Sequence, residues 1–288
     1  MEMTIHNPVM VNEVVDGLDC QPGKAIVDAT LGSGGHALAI LGKLGEAGVL
    51  VAIDKDERAV TLARERLRSF QNVHIYRLDW SELNSVLNLR VDGFLMDLGL
   101  ASFQVDDPSR GFSYKLDGPL DMRFDQRDSL TAAGLVNRLS ERELTSILRD
   151  YGEEPHSRRI ARSITEERRR GRIETTAHLA QVVRKAVKGN PKKSLVRCFQ
   201  ALRIAVNGEL SKLREVLDHG IDILRPKGRI CVISYHSLED RIVKSVFREL
   251  SNSLLNVLTR RPIVPSREEV IRNSRARSAK LRIAEKNG

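Results

Sequence analysis

Cysteine is scarce in this 288-residue chain, and the three present (Cys20, Cys198, Cys231) are far apart, odd in number and without Cys-x-x-Cys spacing. A disulfide framework is therefore excluded, and reduced, buried thiols are expected. Aromatic residues make up only 4%, too few for a platform on which many bases could stack. No apolar run approaches the length of a membrane span. The start, Met-Glu-Met-Thr-Ile-His, lacks the basic and apolar regions of a secretory signal. A cytoplasmic location with no membrane partner is expected. Metal ligands in a recognisable spacing are missing too. Asp117 and Asp121 could mimic a dyad, but turn chemistry around Gly118-Pro119 accounts for them, so no metal is expected.

What is present is charge, unevenly spread. Charged residues are 30% and hydrophobic ones 41%, with a net charge of +9. The length allows one large core, or one core with a smaller satellite. Arg158 to Arg197 holds thirteen Lys/Arg against three Glu, and Arg260 to Gly288 holds nine against three. The remainder is net acidic. Two basic blocks on an acidic body point to a polyanion, most simply nucleic acid held by its backbone.

The most informative stretch is Val27-Asp-Ala-Thr-Leu-Gly-Ser-Gly-Gly-His36, followed by Ile53-Asp54. An apolar run (Ala25–Val27) meets Asp28, a glycine turn (Gly32, Gly34, Gly35) leads into the amphipathic run His36–Leu44, and a second apolar run (Val49–Ile53) ends in Asp54. Strand, glycine turn, helix, strand and acid form the first unit of a nucleotide-binding α/β sheet. An acid at the tip of the second strand can accept from both ribose hydroxyls. Gly32-Ser-Gly34-Gly-His-Ala37 also satisfies a dinucleotide pattern. Asp28 favours S-adenosylmethionine over NAD, because a carboxylate there would repel a pyrophosphate and suits the ammonium of a methionine moiety.

The βα alternation continues through a helix over Glu57–Phe70, a strand Val73–Leu78, a helix Ser81–Leu89 and a strand Val91–Leu98 ending at Asp97. This pattern predicts a parallel sheet covered by helices on both faces. From Asp106 to Asn207 the chain reads mainly as helices: Leu139–Tyr151, Ser157–Arg168, Thr176–Lys188 and Leu195–Val206. Such a length far exceeds a βα connection of ~2–6 residues. The expected organisation is an inserted helical subdomain over 106–207, within a cofactor-binding domain made of 1–105 and 208–288. The α/β pattern then resumes with a helix Glu209–Leu224 closed by Arg225-Pro-Lys-Gly228, a strand Arg229–Tyr235, a helix Ser237–Leu250, an irregular segment Leu258–Arg277 and a last strand Ala279–Glu285.

With these residues set out, the chain resembles the MraW/RsmH family nearly end to end. The motifs are His6-Asn-Pro-Val-Met10, Asp28 to His36, Asp97-Leu-Gly-Leu-Ala-Ser-Phe-Gln104, Arg110 to Arg123, Tyr151-Gly-Glu-Glu154, Cys198 to Asn207, Ile233-Ser-Tyr-His-Ser-Leu-Glu-Asp-Arg241 and Arg275 to Arg282. The resemblance implies a Rossmann-like class I methyltransferase sheet with a helical insertion. It also implies an S-adenosylmethionine-dependent enzyme that methylates the exocyclic N4 of a cytidine in small-subunit (16S) ribosomal RNA. The substrate would be RNA of the 30S particle, and a monomer or a homodimer are both compatible. By position, cofactor contacts would come from Gly34, Gly35, His36, Asp54, Trp80, Asp97 and Gln104. Trp80 stands where the family usually has Phe, Tyr235 for Phe, Leu100-Ala101 for Val-Ser, Phe103 for a common Pro, and Ser274 for a frequent Pro.

Direct transfer from a sulfonium needs no metal and no covalent intermediate; the acceptor must lie in line with the S–CH3 bond, so positioning dominates. A cytosine C5 enzyme would need a Pro-Cys nucleophile, and no cysteine here follows proline. For an N4 target, Asp97 is the expected group at the amine. His236 and Ser237, between a strand end and a helix start, are the second candidates, and His6 is a weaker one. Two rival readings are an NAD-dependent dehydrogenase and a nucleic-acid-binding scaffold with a vestigial pocket.

Overall fold

The computed structural model describes residues 8–85, 90–251 and 253–288. The chain divides into two compact units, one formed by Met1–Gly99 with Leu210–Gly288, the other by Leu100–Glu209. His6 and part of the expected helix Ser81–Leu89 lie outside the described residues.

The first unit is built on seven strands: β1 (Ala25–Asp28), β2 (Val49–Asp54), β3 (Val73–Arg77), β4 (Val91–Asp97), β5 (Leu224–Ser234), β6 (Leu255–Val257) and β7 (Lys280–Lys286), in the spatial order 3-2-1-4-5-7-6. Neighbours among β1 to β5 pair in parallel, and β7 runs antiparallel between β5 and β6. This is the Rossmann-like class I methyltransferase sheet that the resemblance implied. The unit's helices are α1 (Val11–Gly17), α2 (Gly35–Leu44), α3 (Glu57–Arg66), α10 (Glu209–Ile223), α11 (Ser237–Leu250) and α12 (Arg267–Arg272).

Strand residues alternate between two cores, one on each face of the sheet. Ile26, Leu50, Leu95 and Ile233 pack with Val14, Leu18, Ile40, Leu44 and Leu67. Val27, Ile53, Phe94, Met96 and Val232 pack with Leu213, Leu217, Val243 and Phe247. Burial of side chains this size is worth roughly 1.5–3 kcal/mol each, and it needs apolar residues at consecutive positions, as a sheet covered on both faces demands.

Three expectations about elements are corrected. Arg225-Pro-Lys-Gly228 lies inside β5 as an irregularity, where Val91 pairs Leu224 but Gly93 already pairs Arg229; a bulge accepts the proline that a regular ladder would reject. The segment after β6 contains α12, with the Ser266 hydroxyl capping Glu269 N, and a 3-10 turn over Ser274–Ser278. Trp80–Ser85 is a 3-10 turn rather than the start of an α-helix. The expected helix Leu139–Tyr151 is present as a single helix over Glu141–Asp150.

In the second unit, α4 (Ser102–Asp106) is followed by α5 (Ala132–Arg138), α6 (Glu141–Asp150), α7 (Ser157–Glu167), α8 (Thr176–Ala186) and α9 (Lys192–Asn207). Helix α6 starts at a capping box: Ser140 Oγ accepts from Glu143 N, and the Glu143 carboxylate accepts from Ser140 N. Leu144, Leu148, Ile160, Ile164, Leu179, Phe199 and Leu202 share one core. The loop between α4 and α5 is held by its own side chains and by the end of α9. The Arg110 guanidinium donates to the carbonyls of Arg123 and Phe124. Asn207 accepts from Phe124 N and donates to Met122 O. Gly111 has φ 71°, and a Cβ on it would lie 2.2 Å from the Pro119 carbonyl oxygen, so only glycine fits.

Candidate active site

Strands β1, β2 and β4 run in the same direction and end in Asp28, Asp54 and Asp97. From β1 the chain winds outward through β2 and β3, and from β4 it winds the other way to β5. The crevice beyond the carboxyl ends of β1 and β4 is therefore the switch point at which open α/β sheets bind ligands.

Local turn chemistry positions the three acids. Thr30 N donates to Asp28 Oδ1 (3.0 Å), and Thr30 Oγ1 accepts from Asp97 N (2.6 Å), which ties the first turn to β4. The carboxylate of Asp54 accepts from Gly32 N (2.8 Å) and Asp56 N (2.9 Å). Gly34 has φ 79° and begins α2. A Cβ on Gly35 would lie 2.9 Å from the Pro8 ring. The close approach that demands glycine at Gly35 is thus to the chain's own proline.

Electrostatics mark the same place. Asp28 is 1% exposed, and its Oδ2 is buried without a hydrogen-bond partner. Burial raises its pKa to about 6, with Asp97 and Asp54 adding to the rise, while His36 and the Thr30 amide oppose it. Burial likewise brings Asp54 to about 6, against the two amide bonds it accepts. Asp97 is raised by burial and by Glu239, and lowered by His36 and Tyr235. An acceptor oxygen left alone in the interior costs on the order of 1–3 kcal/mol. The ammonium of a bound methionine moiety would repay that cost, so Asp28 fits S-adenosylmethionine. A pyrophosphate would worsen it.

His36 is the second residue of α2 and packs between two groups. Its Nε2 lies 2.8 Å from the Val9 carbonyl and its Nδ1 3.5 Å from Asp97 Oδ2. Asp97 also accepts a 2.8 Å hydrogen bond at Oδ1 from the Tyr235 hydroxyl. Sequence reasoning noted Tyr235 only as a departure from the family, and its substitution for Phe next to His236 was the signal available.

The other candidates are placed as follows. Trp80 begins the turn after β3, and its Nε1 donates to the Ala29 carbonyl (2.8 Å), so the indole is tied to the end of β1. His236 caps α11: its Nδ1 accepts from Glu239 N (3.4 Å), and its Nε2 lies 3.1 Å from Glu239 Oε1. Ser237 is the first residue of that helix. Gln104 belongs to the second unit, where its side-chain oxygen accepts from Ala101 N (3.0 Å) at the start of α4. Gly34, Gly35, His36, Asp54, Trp80, Asp97, His236 and Ser237 all belong to the first unit. Asp121 forms an ion pair with Arg123 (2.6 Å), and Asp117 accepts from Ala177 N (3.2 Å).

Comparison with known proteins gives one answer. Residues 3–287 match the model of the MraW methylase family. A ribosomal RNA small subunit methyltransferase H of Caldicellulosiruptor saccharolyticus is 45% identical, with 98% of this chain and 99% of that protein covered. Proteins of the same name from Clostridium botulinum and Halothermothrix orenii are 42% and 40% identical, with at least 98% of each chain covered. A solved putative rRNA-methylase from Clostridium thermocellum overlays with a TM-score of 0.49 at 12% identity, covering 99% of both chains. The acids at the switch point and the match across the chain together settle the family: this chain belongs to the MraW methylase family and is an S-adenosylmethionine-dependent methyltransferase.

Proposed function

We propose that this methyltransferase acts on small-subunit (16S) ribosomal RNA, transferring a methyl group directly and in line to the exocyclic N4 of a cytidine. The observation that carries the reading is the set of three aspartates at the switch point, one of them with an orphaned buried oxygen. When bound, S-adenosylmethionine supplies an electrophilic methyl group on a sulfonium. Asp28 would hold its ammonium, Asp54 its ribose hydroxyls and Trp80 its adenine, with Gly34, Gly35 and His36 completing the contacts within this unit.

Asp97 is the candidate catalytic residue. An exocyclic amine is a weak nucleophile because its lone pair is delocalised into the ring. A carboxylate accepting one of its N–H bonds favours the pyramidal amine and can receive the proton lost on methylation. The Asp97 side chain is 22% exposed, so it reaches the surface of the crevice while its Oδ1 is anchored by the Tyr235 hydroxyl. His236 and Ser237 occupy the adjacent strand-to-helix turn. The capping bond of His236 already accounts for its position, which leaves Asp97 as the stronger candidate.

The helical unit supplies the RNA grip in this reading, and the enzyme works in the cytoplasm on the 30S particle. Arg158, Arg159, Arg169, Lys188, Lys192 and Lys193 are exposed and have no carboxylate in ion-pair contact among the described residues. A cleft at the start of α7 is lined by Thr145, Arg149, Glu154, His156, Arg158 and Arg159. Backbone phosphates suit such a surface. The target base must be unpaired or flipped, because a paired amine is inaccessible.

Mass mapping of small-subunit RNA from cells with and without the intact gene tests this reading, with loss of one methyl group on a cytidine expected. In vitro, Asp97→Asn should lower turnover at saturating S-adenosylmethionine by about 10²-fold. Parental turnover by that variant would remove Asp97 from the chemistry.

A further inference from the structure

Two side chains converge on the carboxylate of Asp97, and they define its two oxygens differently. A carbonyl can only accept, so the contact of His36 Nε2 with the Val9 carbonyl (2.8 Å) places the ring proton on Nε2. In the neutral ring Nδ1 then carries a lone pair, and it faces Asp97 Oδ2 at 3.5 Å. Lone pair against carboxylate oxygen is an unfavourable meeting that one added proton converts into a hydrogen bond. The other oxygen, Oδ1, is held by the Tyr235 hydroxyl at 2.8 Å. That hydroxyl stays protonated, since burial and the neighbouring Asp97 both raise its pKa well above the usual phenol value.

Resting on the reading of Asp97 as the group beside the target amine, we propose that Tyr235 and His36 are positioning residues that make Asp97 Oδ2 the proton acceptor of the reaction. The step balances as follows. The amine nitrogen bonds the methyl carbon, and the C–S pair leaves with sulfur, so the sulfonium charge passes to nitrogen. The nitrogen then releases a proton, which bonds to Asp97 Oδ2 and is shared with His36 Nδ1. Tyr235 prevents the carboxyl from rotating and lowers its proton affinity, so that the base is ionised before the reaction.

The charged and titratable groups around Asp97 are His36 from α2, Tyr235 from the end of β5, Glu239 from α11 and Asp28 from β1; Glu269 from α12 faces Tyr235. Glu239 accepts from Tyr235 N (2.8 Å) and fixes the backbone from which the phenol projects. The Tyr235 ring packs on Gly99, where a Cβ would come within 3.0 Å.

Tyr235→Phe keeps that ring contact and removes only the donor. In cofactor-free protein, the Asp97 carboxyl followed by 13C NMR should titrate at higher pH in Tyr235→Phe than in the parent. In steady-state methylation of small-subunit RNA, kcat should fall several-fold while KM for S-adenosylmethionine stays within about twofold. The acid limb of the kcat profile should move to higher pH, because a base is active only above its pKa and the lost donor raises that pKa. In an Asp97→Asn background, Tyr235→Phe should change nothing further. An Asp97 titration and an acid limb superimposable on the parent's would overturn the proposal, as would an equal loss when Tyr235→Phe is added to Asp97→Asn. Parental turnover by Asp97→Asn alone would instead strike the underlying reading of Asp97.

Discussion

Asp28 keeps one buried oxygen without a hydrogen-bond donor. Its pKa is raised from 3.8 to about 6 by burial, so in the cofactor-free protein the ionised form opposes folding. For an acid raised in this way, the stabilising contribution is complete below pH ~4 and is lost as pH rises through about 6. Asp28→Asn should therefore stabilise the cofactor-free enzyme at pH 7.5, by about 2–3 kcal/mol at most, and leave it nearly unchanged at pH ~3.5, where the carboxyl is protonated in the folded and unfolded chain alike. Thermal unfolding at the two pH values checks this; destabilisation at pH 7.5 would count against it. The same variant should bind S-adenosylmethionine at least tenfold more weakly by calorimetry, because the partner of the ammonium is gone. In the parent, affinity should decline below about pH 6 as Asp28 and Asp54 protonate.

Helices and turns show which basic residues are free to meet RNA and which are committed to the fold. From sequence, Arg168, Arg169 and Arg170 form one cationic cluster. The structure separates them. Arg168 Nη1 donates to the carbonyls of Val136 (2.8 Å) and Leu139 (2.6 Å) at the end of α5. It thereby satisfies carbonyls that the helix leaves open. Both Arg169 and Arg170 are exposed, but Arg170 lies 3.5 Å from Glu167, whereas Arg169 has no carboxylate in ion-pair contact among the described residues. Arg168→Ala should destabilise the protein by about 1–2 kcal/mol, read as a lower denaturant midpoint, while Arg169→Ala should leave the midpoint in place. Equal midpoints for the two variants would contradict the assignment. The Leu139–Tyr151 run illustrates the same level of organisation. Its helical periodicity is readable, and Ser140 with Glu143 spells the capping box that sets the first helical residue at Glu141. Three-residue β6 and six-residue α12 are too short to show a period, so only their pairing and packing reveal them.

Across the molecule, the charge blocks predict a salt-dependent association. Neutralising Arg158, Arg159, Arg169, Lys192 and Lys193 together should weaken binding to small-subunit RNA and flatten its dependence on salt. Each phosphate contact removed lowers the slope of log K against log salt by roughly 0.7–0.9. Affinity for S-adenosylmethionine should stay at the parental value, since these side chains belong to the helical unit and Asp28, Asp54 and Asp97 to the other. Equal salt slopes for variant and parent would argue that RNA is held elsewhere.

Sequence alone determined what local chemistry controls. Apolar runs of strand length, the glycine turn and an aspartate at the tip of three strands follow from backbone geometry and two-faced burial, and they were enough to indicate the sheet, the cofactor class and Asp28, Asp54 and Asp97. Contacts between distant residues were decided only by the tertiary structure. Tyr235 meets Asp97 across 138 positions, and Arg168 closes a helix about thirty residues earlier. One oxygen of Asp28 is orphaned because folding buries it without supplying a donor. The physical reason is range. Propensity and turn chemistry act over a few residues, whereas the protonation and orientation of a buried carboxylate depend on whatever the folded chain brings within hydrogen-bonding distance.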